Sequence, residues 1–314
     1  MSSLVSICLA FSSQHGRWIL VFSLVVGLLS ETLAYIVKPY IEILIALLLF
    51  TACLRVGVQQ VLGALREIKE SLIFTFALQL LLPLSLVLLF WLVGWHDPLS
   101  LALILLTAAP AISGSPHLVA LLGFDPASTL RQLIVGTALL PLTIIPVFIL
   151  LPELGSLSDI LVTSLRLLTI ILLAAGAAFV IRFRFFNHAS KKTLQNIDGA
   201  STIIMAVVVL GLMAAIHSEI NTAPMNLLKT LMFAISANFG LQIITTLVLA
   251  RSRYAQYSVA LGLIAGNRNI SLFITTVALM KTQPLLLFVA CYQIPMYLTP
   301  LVMGRFYDKI GPKS

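Results

Sequence analysis

Charge is what this chain has least of. Only 10% of its 314 residues are Asp, Glu, Lys or Arg, whereas a soluble domain carries roughly 25%. Hydrophobic residues make up 60% and the mean hydropathy is +1.09, so a soluble globular domain is excluded and a polytopic membrane protein is expected. At about 20 residues per span, some ten spans take roughly 200 residues and leave on the order of ten for each connection. That leaves no room for a separate soluble domain, and residues 1–314 are expected to form one integral membrane transport domain.

Cysteine is nearly as scarce. Cys8, Cys53 and Cys291 offer no disulfide framework and no paired metal spacing, and they read as small buried hydrophobes. The five histidines are scattered and only His117 falls in the interior of an apolar run, so no metal centre and no cofactor is expected. No cluster of His, Asp, Ser and Cys gathers as an enzyme would need. Acidic residues number 11 against 19 basic ones. The resulting +8 charge and pI near 9.6 do not argue for nucleic acid, because basic residues in such a chain mark the cytoplasmic ends of spans. The first apolar run, Trp18 to Leu29 after His15 and Arg17, resembles the core of a signal peptide, with Thr32 and Ala34 as a cleavage site. A retained first span is the expectation, since the run extends through Ile36 and its loss would spoil the repeat described next.

Apolar segments fall at 17–36, 39–63, 71–94, 99–122, 128–151, 158–182, 199–217, 225–250, 256–280 and 284–304. Arg55, Arg166 and Arg268 lie inside them. Of the other basic residues, thirteen share the side of the N-terminus (Arg17, Arg66, Lys69, Arg131, Arg182, Arg184, Lys191, Lys192, Arg251, Arg253, Arg305, Lys309 and Lys313), against Lys38, Lys229 and Lys281 opposite. Both termini are therefore expected in the cytoplasm of a multi-pass plasma-membrane protein, taken as a bacterial inner-membrane one.

Ten spans divide into five and five, and an odd number per half inverts the second half relative to the first. The predicted fold is all-α, with inverted five-helix repeats over 1–153 and 154–314. The fourth span carries Pro110, Gly114, Ser115 and Pro116 at its middle; the ninth, its counterpart, carries Gly262, Gly266, Asn267 and Asn269. Matched interruptions of this kind point to a transport site where unwound backbone lines a cavity.

Pro110 and Pro116 each remove a backbone donor and disfavour helix in the residue before. A second half-helix is expected from Ser115, its free N–H groups forming an anion site. For Ser113 and Ser115 the alternative is hydroxyls bonded to nearby carbonyls. The substrate-binding set is expected to be Ser113, Ser115, His117, Asn267, Arg268, Asn269 and Ser271, with Pro110, Gly114, Pro116 and Gly266 as helix breakers. Arg268 stands near mid-membrane with no Asp or Glu at any span centre, since Glu42 and Asp125 sit near the ends of theirs. It serves either as the fixed charge of the site or as a tie for carbonyls freed by unwinding. Arg55 and Arg166 lie within reach of the two interfaces, where snorkelling accounts for them. Gln79 beside Pro83, and Asn238 with Gln242, read as interhelical glue on corresponding helices or as support for an ion.

These features resemble the bile acid:sodium symporter family. The likeness rests on the second span from Lys38 to Gly57, the stretch from Pro110 to Pro146, and Gly266-Asn267-Arg268-Asn269. It implies ten helices, a panel and a core domain, crossed fourth and ninth helices beside the substrate, and transport of an organic anion, commonly with sodium. Thr137 matches fifth-span hydroxyl ligands of that family. The family's sodium-binding Glu and Gln of the ninth span are replaced here by Ile264 and Arg268, and its fourth-span Ser-Asn pair by Ser115-Pro116. Weak or absent dependence on sodium is expected. The function expected is secondary transport of a small organic anion by alternating access. The alternatives are a sodium/proton antiporter of related architecture, which needs mid-membrane carboxylates, and a non-transporting membrane sensor.

Overall fold

The computed structural model describes residues 3–56, 63, 68–186, 189–277 and 282–311. Arg66, Lys281 and Lys313 of the charge argument lie outside them. In chain order the helices are α1 (Ser3–Gln14), α2 (Gly16–Leu29), α3 (Glu31–Val37), α4 (Ile41–Arg55), α5 (Ile68–Phe76), α6 (Leu82–Val93), α7 (Pro98–Ala108) and α8 (Ser115–Leu121). They continue with α9 (Ala127–Ile149), α10 (Leu157–Phe185), α11 (Lys191–Ile220), α12 (Pro224–Ala250), α13 (Ser258–Gly266) and α14 (Gln283–Ile310). A π-helical turn, Ala77–Leu81, joins α5 to α6, and a 3₁₀ helix, Ile270–Thr275, follows α13. No strand forms among the described residues. Seven helical stretches there are long and apolar enough to cross a membrane, and the chain is all-α and multi-pass.

The first apolar run is divided differently from the expectation. It does not continue from 17 to 36: α2 ends at Leu29, and Ser30 takes an extended conformation (φ −119°, ψ 91°). The Ser30 hydroxyl accepts the Leu33 N–H at 3.4 Å and starts a new helix there. Glu31–Arg55 then forms one apolar stretch of 25 residues, while helix also precedes Arg17, from Ser3. Hydropathy cannot detect a serine cap inside an apolar run, which is why the boundary was misplaced. The cysteines also depart in part from the expectation. Cys291 is buried, but Cys53 is half-buried and Cys8 exposed.

The chain forms two compact units, Met1–Val61 with Thr169–Leu227, and Leu62–Leu168 with Leu228–Ser314. Each draws on both sequence halves.

The first unit is organised around α11. Ser6 bonds Asn196, and His217 Nε2 lies 2.8 Å from the Gly27 carbonyl, so α1 and α2 run parallel to α11. Thr51 reaches Ser201 and Arg55 reaches Asp198, so α4 runs antiparallel. Close approach is possible because α11 carries glycine at the crossings: a Cβ on Gly199 would strike the Leu9 carbonyl, and one on Gly211 would strike Val37 and Ile41. Arg55 does more than snorkel, since its Nε sits 2.7 Å from Asp198 Oδ1. Arg182, 7% exposed, donates to the Leu54 carbonyl at 2.7 Å and so caps the C-terminus of α4. Arg166 is exposed.

The second unit buries many more amides and hydroxyls. Thr75, Gln79, Thr107, Asn238, Gln242, Thr246, Asn267, Arg268 and Thr299 are all at most 2% exposed. Such groups persist in an apolar interior only when hydrogen-bonded, and their partners define the candidate site.

Candidate functional site: two broken helices crossing at their breaks

The apolar run 99–122 is interrupted as its prolines require. α7 ends at Ala108, Ala109 is extended (φ −68°, ψ 154°), and α8 resumes at Ser115. In the run 256–280, α13 stops at Gly266 and Asn267 leaves helical geometry (φ −116°, ψ 81°). The two unwound stretches meet antiparallel, with Ala111 opposite Arg268. The Ile112 N–H donates to the Asn267 carbonyl at 3.1 Å and the Asn269 N–H to the Pro110 carbonyl at 2.8 Å. Backbone groups stranded by unwinding thus satisfy one another.

The guanidinium of Arg268 takes up three further carbonyls. Nη1 donates to Ala109 at 3.0 Å, Nη2 to Leu78 at 3.0 Å and Nε to Ala265 at 3.4 Å. Each acceptor is a carbonyl that a local break leaves without a helical partner. Ala109 caps α7 just before Pro110. Ala265 lies in the last turn of α13. Leu78 lies in the π turn, where the Leu82 N–H goes to the Ala77 carbonyl. The next donor in that register would be Pro83, which has no N–H. Arg268 is 2% exposed, and among the described residues no carboxylate lies within ion-pair distance of it.

No family model matches this chain, and no curated protein matches it. The chemistry of the crossing therefore rests on its own geometry.

A closed polar network backs the ninth-segment break. The Gly266 carbonyl accepts from Asn238 Nδ2 and from the Tyr292 hydroxyl. Gln242 Nε2 donates to Asn238 Oδ1 at 2.6 Å and to Thr299 at 3.1 Å, and Gln242 Oε1 accepts from Tyr307 at 2.7 Å. Asn267 donates to the Leu263 carbonyl at 2.9 Å and accepts from Thr299 at 3.2 Å. Behind the other break, Gln79 donates to the Gly136 carbonyl at 2.9 Å and to Thr143 at 3.1 Å. Gln79, Asn238 and Gln242 thus each bond a residue outside their own helix. Gly266 is required by close approach, because a Cβ there would strike the Asn238 carbonyl and the Gln242 side chain.

The half-helix N-termini expected to form an anion site are short and partly spent. α8 has seven residues, its Ser115 N–H is spent on the Ile112 carbonyl, and Pro116 has no N–H to give. The stretch after Asn269 is a six-residue 3₁₀ helix. It is the C-termini of α7 and α13 that converge, on Arg268. Ser115 is buried with its hydroxyl on the Ile112 carbonyl, the local bond weighed as its alternative. Ser113, Gly114, Pro116, Thr137, Asn269 and Ser271 are half-buried, and His117 is exposed. The side chains of Ser113, Asn269 and Ser271 take no part in the bonds that close the crossing.

Sequence reading missed Thr143, Tyr292, Thr299 and Tyr307. One signal pointed to the helices that hold them: α9 contains Pro141 and Pro146, and α14 contains Pro295 and Pro300, at the same spacing.

Proposed function

We propose that this chain is a secondary transporter of a small organic anion, working by alternating access and without a requirement for sodium. The observation that carries the reading is the antiparallel crossing of two interrupted helices, held by Ala111 and Arg268. Broken helices meeting in this way are the recurrent substrate architecture of carriers built from inverted repeats. The repeat is supported by matched detail. Gln79 on the helix before one break bonds Thr143 on the helix after it, and Gln242 bonds Thr299 in the corresponding places. The proline pairs of α9 and α14 agree with it. So do the compact units, each taking corresponding parts of the two halves. Ten spans with both termini cytoplasmic complete the reading, as in the bile acid:sodium symporter family that the sequence resembles.

A cationic substrate is disfavoured by the lack of buried carboxylates among the described residues. Among the described residues the buried charged side chains are Arg182 and Arg268, with no buried carboxylate to receive a cation. The same lack disfavours a sodium/proton antiporter, which must titrate carboxylates within the membrane. Ser113, Asn269 and Ser271, half-buried beside the breaks, are the hydroxyl and amide groups assigned to substrate in this reading. Uptake of carboxylates and sulfonates into proteoliposomes, compared in sodium and choline media at matched potential, tests the function. Equal uptake in both media is expected. A strict sodium requirement overturns the coupling, and saturable binding without flux makes the chain a sensor. The topology predicts that an impermeant thiol reagent outside intact cells labels a cysteine at Lys229 and misses one at Lys191. The reverse pattern refutes it.

A further inference from the structure

Arg268 looks at first like a charge waiting for a substrate, but its donors are aimed at carbonyls. The Ala109 and Ala265 carbonyls end α7 and α13, and Leu78 adds a third from the π turn. A helix C-terminus carries roughly half a negative charge. Two of them meeting at one point, with no carboxylate nearby among the described residues, present about one negative charge. A ring of carbonyl oxygens at the ends of half-helices is how unwound membrane helices coordinate a cation. Here the cation is covalently part of the chain.

We propose that the carbonyls of Leu78, Ala109 and Ala265 form a monovalent-cation site whose resident occupant is the protein's own Arg268 guanidinium. The positive charge that an ion-coupled carrier takes from solution in each cycle is thereby fixed in place. The crossing stays assembled at any external ion concentration, and an ion gradient has nothing at this site to drive. The consequence for coupling rests on the transporter reading; the identity of the site does not.

Removal of the side chain turns the occupied site into a vacant one, so chemical rescue tests it. The probe is guanidinium chloride at low-millimolar concentration, added to the purified full chain carrying Arg268→Gly, with urea and tetramethylammonium chloride as controls. The expected result is a Tm several degrees below that of the unsubstituted chain, recovered by half or more and saturably by guanidinium. The controls restore nothing, and the unsubstituted chain does not respond. An equal response of both proteins to guanidinium, or an Arg268→Gly chain as stable as the original without it, overturns the proposal. Should Arg268→Gly yield no folded protein, Arg268→Lys and Arg268→Gln decide. Lys keeps the charge and Gln keeps only hydrogen bonding, so Lys must be the more stable, and the opposite order refutes a cation site. Failure of the transporter reading is separate: the unsubstituted chain then moves no anion in proteoliposomes, whatever the thermal rescue shows.

Discussion

The two compact units solve one packing problem in opposite ways. The first is held by helices lying close along α11, with Gly199 and Gly211 at the contacts; its buried guanidinium, Arg182, caps a single helix end, and the Arg55–Asp198 ion pair leaves both side chains more than 40% exposed. The second interrupts two helices and pays with buried amides, hydroxyls and a guanidinium. An unbroken helix satisfies its own backbone, so only shape must match between neighbours. A broken one strands carbonyls that must be met by side chains from elsewhere. Substitutions should therefore hurt the second unit through lost partners and the first through lost fit.

The largest effect is expected from Arg268→Met, which strands three buried carbonyls at once. A loss of about 3–5 kcal/mol is expected by analogy with breaking a buried charge pair, read as a collapse of Tm in detergent. A variant of unchanged Tm would show that the second unit does not depend on this partner. Gly266→Ala comes next, at about 3 kcal/mol, because the new methyl meets backbone and an enclosed amide. Gly199→Ala in the first unit also meets a carbonyl, that of Leu9, but no enclosed amide is displaced there, and about 2 kcal/mol is expected. Equal losses would erase the contrast between fit and partnership. Gln242→Leu takes the acceptor from the Tyr307 hydroxyl and the donor from Asn238 and Thr299, for about 2 kcal/mol. The smallest effect belongs to Asp198→Asn, at no more than about 1 kcal/mol for so exposed a pair. A double-mutant cycle with Arg55→Gln measures it, and a coupling as large as that of Gln242 with Thr299 would break the comparison.

The sequence made much of the second unit's outline legible. Pro110, Pro116 and Gly266 announce their own interruptions because proline and glycine act through backbone geometry, and the restart at Ser115 followed from the same rule. Arg268 was legible as an anomaly, but its acceptors were not: a carbonyl belongs to every residue, and nothing in a sequence says that the one on Leu78 will lack a donor. Pro83 was the available clue, since it removes the N–H that a π register would use. The pairing of Arg55 with Asp198 spans 143 positions, beyond the reach of any local pattern. The break at Ser30 was hidden because one hydroxyl changes mean hydropathy very little while ending a helix.

The π turn at Ala77–Leu81 makes this helix sensitive to length as well as to composition. Such a turn holds one residue more than an α-helical turn of the same span. Inserting one further residue there would exceed what the turn absorbs and would rotate α5 against α6 by about 100°. The Gln79 amide would then leave Gly136 and Thr143, and the Leu78 carbonyl would turn away from Arg268. A single-codon insertion could thus dismantle the crossing while every side chain named at it remained in the protein.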